Sequence, residues 1–251
     1  MIEALTAPAM PFLEPQWPAP RSVRAAFTLR SGGVSRGPYT SLNIGAHVGD
    51  DPAAVTENRR RVRLQLPLPA EPEWIEQLHG SSVIDLDAAA TARTGDAVIT
   101  RRAGRVCAVQ VADCLPVLFS ARAGGAVGAA HAGWRGLAAG VLEATVARLG
   151  AEPRELLAWL GPVIGPKHFE VGGEVRAAFL AHDSAAAAAF TANRRGRWQC
   201  DLCALARQRL CALGVGAVHG GEWCTFADPA RFFSHRRDGR CGRMAALIWL
   251  A

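Results

Sequence analysis

VCAVQVADCLPVLFSARAGGAVGAAHAGWRGLAAGVLEATVARLG (106–150) is the stretch whose reading decides the fold. Within it VCAVQVA, PVLF and AVGAA are apolar runs of strand length separated by turn residues, and 134–149 then reads as a helix. AVIT (97–100) before it and LLAWL (156–160) after it read as two more buried strands. Further upstream, VRAAFTLR (23–30) alternates like a strand and ends at the turn signal Gly32-Gly33. Asp51 and Pro52 then open a helix running through VTENRRRVRLQL. WIEQL (74–78) reads as a short strand stopping at His79-Gly80. Downstream, Glu170 to Leu180 and Asp201 to Leu213 read as helices, and the alanine run before Phe190 as a surface helix. VGAVH and AALIWL (245–250) read as strands. Strands mixed with helices at uneven spacing predict an α/β (α+β) fold with mixed sheets rather than a strict βαβ repeat. No linker interrupts the pattern, so a single domain over 1–251 is expected, with 1–20 as an extended, proline-rich N-terminal arm.

Half of the 251 residues are apolar and a fifth charged, an ordinary globular profile. No apolar run approaches the roughly 18 residues of a membrane helix. The first residues carry Glu3 and Glu14 and no basic start, which argues against an export signal and for a cytoplasmic protein. Seven cysteines, an odd number, then point to reduced thiols or metal ligands rather than a disulfide framework. The net charge of +6 invites a nucleic-acid reading. Lys167 is the only lysine, however, and the arginines are scattered apart from Arg59–Arg61 and Arg236-Arg237. A small anionic substrate such as phosphate fits this pattern better than nucleic acid. Both a monomer and a homodimer are compatible with it.

Three metal-ligating residues share one context. His79 ends WIEQL, Cys114 follows VCAVQVAD, and His131 ends AVGAA, each where a strand hands over to a turn. Two imidazoles and a thiolate suit zinc with one open position, and Cu²⁺ competes well at such a site. Asp113 stands beside Cys114 as a group to orient a ligand, and Trp134-Arg135 follow His131 with a stacking face and a charge. A different chemistry uses the same residues: Cys114 as nucleophile, His131 as base, and Asp113 or Asn43 as orienter. His79 is superfluous in that scheme. A purely structural role for these residues also stands open. A copper-dependent polyphenol oxidase (laccase) is disfavoured, since there is no His-x-His pair and only Met1, Met10 and Met244. Cys200-x-x-Cys203 has no second CxxC and reads as structural.

SGGVSRGPYTSLNIGAHVGDDPAAVTENRRRV (31–62), QLHGSSV (77–83), VADCLPVLF (111–119), AAHAGWRGLAAGVL (129–142), GPVIGPKHFEVGGEV (161–175) and FFSHRRDGRCGRMAALIWL (232–250) resemble, in order, the YfiH-type or laccase-domain family. The resemblance implies a CNF/YfiH-like fold, once grouped with cysteine hydrolases, of packed mixed sheets flanked by helices. It places the His–Cys–His zinc ligands on His79, Cys114 and His131. It implies phosphorolysis of adenosine, inosine and methylthioadenosine, with adenosine deaminase activity at the same metal. Purine nucleoside and phosphate are then the partners, and Asp113 is the carboxylate available to shuttle protons. Arg59, Arg135 and Arg236 are the expected phosphate holders, and Ser31 and Asn43 are expected on phosphate or ribose hydroxyls. His235 departs from the family pattern, where a tyrosine is expected.

Overall fold

Residues 106–111 alternate between two environments, and that alternation shows how the layers stack. Cys107, Val109 and Val111 pack into a core shared by two sheets, whereas Val106 and Ala108 face the opposite way, onto Leu42, Ile44 and Val62. The structure, a computed structural model, describes residues 12–89 and 93–251.

Among the described residues the strands form three sheets. The first is antiparallel and runs β1 (Phe12–Leu13), β2 (Val23–Thr28), β13 (Met244–Leu250), β5 (Val106–Val111). The second runs β12 (Ala217–Gly220), β8 (Leu156–Leu160), β6 (Leu115–Ala121), β7 (Val127–Ala132), β4 (Ala97–Thr100), β3 (Val83–Asp85). Its two outer pairs are parallel and the inner ones antiparallel, so it is mixed, as expected. The third is small: β10 (Phe190–Ala192), β11 (Trp198–Cys200), β9 (Glu170–Val171).

Phe27, Val109, Ala246 and Ile248 of the first sheet meet Val98, Leu118, Ala129 and Trp159 of the second. The far side of the second sheet is covered by α3 (Val141–Leu149) and α5 (Leu202–Ala212), through Leu142, Val146, Leu205 and Leu210 against Ile99, Phe119 and Ala130. The helix α1 (Pro52–Gln65) starts as predicted, with Asp51 accepting a hydrogen bond from the Ala53 N–H. Its Val62 packs with Leu42 and Ile44 against the outer face of the first sheet.

Several expectations need correction. The helix predicted over 134–149 is two helices, α2 (Trp134–Ala138) and α3, because Gly140 takes a left-handed φ of 91° between them. Glu170 and Val171 are strand, and α4 begins only at Gly173 (Gly173–Leu180). The alanine run forms a 3-10 turn over Ser184–Ala189 that buries Ala186 and Ala189. WIEQL is not a ladder strand; only Glu76 bridges, to Thr94. Of the N-terminal arm, residues 1–11 lie outside the described residues, and Phe12–Leu13 pairs with β2. No described helix is long and apolar enough to cross a membrane.

Candidate metal centre

The chain leaves the first sheet at the end of β5 and enters the second at β6 within three residues, Ala112 to Cys114. Asp113 takes a φ of 92° to make this turn, an unusual conformation for a residue with a Cβ. Its carboxylate holds the turn in place. Oδ1 accepts from the Thr225 hydroxyl at 2.6 Å, and Oδ2 accepts from the Arg236 N–H at 2.6 Å. That N–H belongs to the short helix α6 (His235–Asp238), which is thereby tied to the Cys114 turn.

Cys114 emerges half-buried beside exposed His79 and buried His131. Their ligating atoms all lie within 4.8 Å of one another, and Cys114 Sγ is 3.8 Å from His79 Nε2. The two imidazoles meet edge to face with centroids 4.7 Å apart. Among the described residues this is the one group of three or more such side chains close enough to hold a metal ion.

The carboxylate bonded to His131 and to the His79 turn is Asp96, which the sequence reading did not single out; Asp113 instead fixes the turn that carries Cys114. Asp96 is 1% exposed and lies just before β4. Its Oδ1 is 2.8 Å from His131 Nδ1, and its backbone carbonyl takes the His131 N–H at 2.7 Å. The same carboxylate accepts from the N–H groups of Leu78, His79 and Gly80 at 3.2, 2.9 and 2.7 Å. His79 sits there with a left-handed φ of 61°, a cost met by those hydrogen bonds. With Nδ1 on the carboxylate, Nε2 of His131 faces Cys114, donating a hydrogen bond to the thiolate when the ring is protonated and offering its lone pair to a metal when it is not.

The electrostatics follow from this arrangement. Burial alone would raise the Cys114 thiol, but the charge of His131 and hydrogen bonds from His131 and His79 overcome it and bring the pKa to about 6. Burial alone would lower His131; the Cys114 thiolate and the Asp96 hydrogen bond raise it to about 9. Burial also opposes ionisation of Asp96, yet His131 and the Gly80 N–H keep its carboxyl below the usual range. A thiolate and two imidazoles at this spacing are a donor set suited to a borderline-soft divalent metal.

A cleft of about 520 Å³, lined by His47, Arg59, Trp74, Gln77, Leu78 and Gln110, lies near the cluster, and its His47 feels the charges of His131 and His79. Leu78 immediately precedes His79. Arg59 Nε donates to the Ile44 carbonyl at 3.0 Å, and its guanidinium stacks on Trp74 at 4.5 Å. Burial, then the charges of Arg243 and Arg59, hold His47 below the usual imidazole range, so it is neutral at pH 7. His47 was missed because it lies in a glycine-rich loop with no pattern around it.

None of the remaining expected residues lines this cleft. Asn43 is fully buried and fully engaged: its amide donates to Asp50 Oδ2 and the Gly45 carbonyl and accepts from the N–H groups of Gly45 and Arg243. With no valence left, it builds the loop rather than contacting ribose, phosphate or the Cys114–His131 pair. Ser31 is half-buried. Arg135 is exposed over the Trp134 ring at 4.4 Å. The Arg236 side chain donates to the Glu170 carbonyl at 2.9 Å. His235 is exposed with Nδ1 2.6 Å from the Gly239 carbonyl. Cys200 and Cys203 pack on the helix-covered core, and burial raises both thiols to about 12.

Two packed sheets joined by a cysteine-bearing turn, with two histidines converging on it, define a protein with a candidate three-ligand metal site near a cleft that holds Arg59. Residues 24–251 match the family described as multi-copper polyphenol oxidoreductase laccase. The chain belongs to this family, the YfiH type. It is 56% identical over 240 residues to purine nucleoside phosphorylase PA4543 of Pseudomonas aeruginosa, covering 95% of this chain and 98% of that protein. It is 53% identical over 237 residues to purine nucleoside phosphorylase YfiH of Escherichia coli strain K12, covering 94% and 97%. The crystal structure of NMB0706 from Neisseria meningitidis superposes with a TM-score of 0.92 at 49% identity, covering 95% and 98% of the two chains. YlmD from Geobacillus stearothermophilus superposes with a TM-score of 0.84 at 35% identity, covering 92% of each.

Proposed function

We propose that this chain is a purine nucleoside phosphorylase acting on adenosine, inosine and methylthioadenosine, with zinc as the metal held by His79, Cys114 and His131. The carrying observation is the juxtaposition of that cluster with the Arg59 cleft. The names of the relatives at 53–56% identity support the same reading.

Arg59 is the phosphate holder. Its Nε is spent on Ile44, which fixes the guanidinium plane and leaves the Nη groups to grip two oxygens. A phosphate oxygen then forms a bond to the anomeric carbon as the bond from that carbon to the purine nitrogen breaks, with the electron pair leaving on the base. The products are ribose 1-phosphate, or its 5-methylthio form from methylthioadenosine, and the purine, whose leaving anion takes up the proton released by the phosphate or one from solvent. Trp74 supplies a flat apolar wall, and Arg59 offsets the negative charge of the attacking group. Asp96 keeps His131 and the His79 turn in place throughout. When bound, zinc would supply a Lewis acid and a water of lowered pKa, the chemistry that adenosine deamination at this site needs. Cu²⁺ fits the same donors.

Metal content, together with inosine turnover in phosphate against a phosphate-free control, tests the reading. About one zinc per chain and hypoxanthine released only with phosphate support it. Zinc-free protein, or hypoxanthine released equally without phosphate, sinks it.

A second reading has its own observation. Cys114, His131 and Asp96 line up as nucleophile, base and orienter, with the thiol already lowered to about 6. His79→Ala separates the two: it should abolish activity if the metal is needed and spare a cysteine hydrolase.

A further inference from the structure

Gln110 is 6% exposed, yet its Oε1 has no hydrogen-bond partner. A buried amide oxygen left unpaired costs free energy, so such a group needs an explanation. The backbone around it is, by contrast, fully tied. Gln110 lies on β5, the outer strand of the first sheet, and its free edge is capped by Gln77: Gln77 Oε1 accepts from the Gln110 N–H at 2.7 Å, and Gln77 Nε2 donates to the Gln110 carbonyl at 2.9 Å. By the strand's alternation its side chain is on the face of Val106 and Ala108, beyond the cover given by Leu42 and Ile44, where it lines the Arg59 cleft. The site is thus a well-tied strand whose Gln110 lines the cavity near the metal cluster and keeps a buried amide oxygen that no protein group satisfies.

We propose that Gln110 reads the hydrogen-bonding edge of the purine base and sets which bases the cleft accepts. This rests on the phosphorylase reading and names the specificity residue of the same site. A primary amide offers one acceptor and one donor side by side. The acceptor takes N1–H of hypoxanthine while the donor meets O6. The same amide takes N6–H of adenine while its donor meets N7, the pairing glutamine makes with adenine in nucleic acids. A half-turn about the last side-chain bond exchanges the two ends, so one residue serves 6-oxo and 6-amino purines alike. A carboxylate in its place accepts only. It would suit guanine, whose N1–H and N2–H stand side by side, and would set a lone pair against hypoxanthine O6 or adenine N7.

The test uses the full chain with its metal. Hypoxanthine, adenine and guanine are titrated calorimetrically into wild type, Gln110→Leu and Gln110→Glu, with inosine phosphorolysis followed in parallel. The side chain makes no hydrogen bond to the rest of the protein through Oε1, so Gln110→Leu should keep its thermal midpoint, which is the control for folding. In that variant hypoxanthine and adenine should each bind about tenfold more weakly or worse. In Gln110→Glu the affinity for guanine relative to adenine should rise about tenfold. Unchanged affinities and ranking in both variants would overturn the assignment, as would a wild type that binds none of the three bases. Wild-type phosphorolysis with unaltered ranking removes Gln110 alone. Altered ranking without phosphorolysis removes the reaction and leaves Gln110 as a base reader.

Discussion

Asp96 Oδ1 lies 2.8 Å from His131 Nδ1, and the same carboxylate gathers the backbone N–H groups of Leu78, His79 and Gly80. One buried side chain therefore positions two of the three metal-binding residues. Asp96→Asn sets an amide NH₂ against at least one of those donors. Metal affinity should fall about 10- to 100-fold, measured by competition with a chelating dye. Stability to urea should fall by about 1–3 kcal/mol. Because the folded carboxyl lies below its unfolded value, this stabilisation is present above the ordinary carboxylate range and is lost as pH drops through the lower folded value. The wild-type advantage over the variant should therefore vanish in acid; an advantage that survives there would contradict the assignment.

Metal-free protein gives a second readout. With Cys114 at about 6 and His131 at about 9, the thiolate–imidazolium pair exists between those values. The rate of alkylation by iodoacetamide should climb through pH 6 rather than through the usual range near 8.5. Buried Cys107 and Cys200, both raised by burial, should stay unmodified in the folded protein. Peptide mapping after a short pulse identifies the modified thiol. Zinc should suppress the reaction.

Arg59 and Arg135 should separate cleanly in kinetics. Arg59→Ala should raise the KM for phosphate about tenfold or more while changing that for inosine far less. Arg135, exposed over Trp134, should give a change of less than about threefold. Equal effects of Arg59→Ala on both substrates would refute its role.

Gly136 tests the packing of the His79 turn. A Cβ there would come within 2.7 Å of the Gly80 carbonyl oxygen, a backbone atom that cannot swing aside. Gly136→Ala should push the turn off Asp96, costing about 1–3 kcal/mol and weakening metal retention. Thermal unfolding with and without zinc would show both effects.

The layers and the three metal-binding residues were legible because they follow from local rules: apolar runs of strand length, and ligating residues where strands end. Asp96 was not legible. An aspartate after Thr94-Gly95 reads as turn chemistry, and only the pairing of β4 with β7 brings it to His131. WIEQL failed as a strand because the Gln77 side chain, not the backbone of residues 74–78, completes the edge of β5. Asn43 was misassigned for a related reason. A polar residue in a glycine-rich loop reads as ligand-binding, while its partner Arg243 is 200 residues away. Gln110 and His47 carry no sequence pattern at all; burial and a shared cavity mark them.

The place of β13 between β2 and β5 has a consequence for how the molecule comes into being. Residues 244–250 follow every other described strand in the sequence, yet they lie inside the sheet whose outer strand leads into Cys114. Until they leave the ribosome, β2 and β5 have no common neighbour, and the apolar faces of both remain uncovered. Completion of the first sheet is thus a long-range event, joining residues more than 130 positions apart.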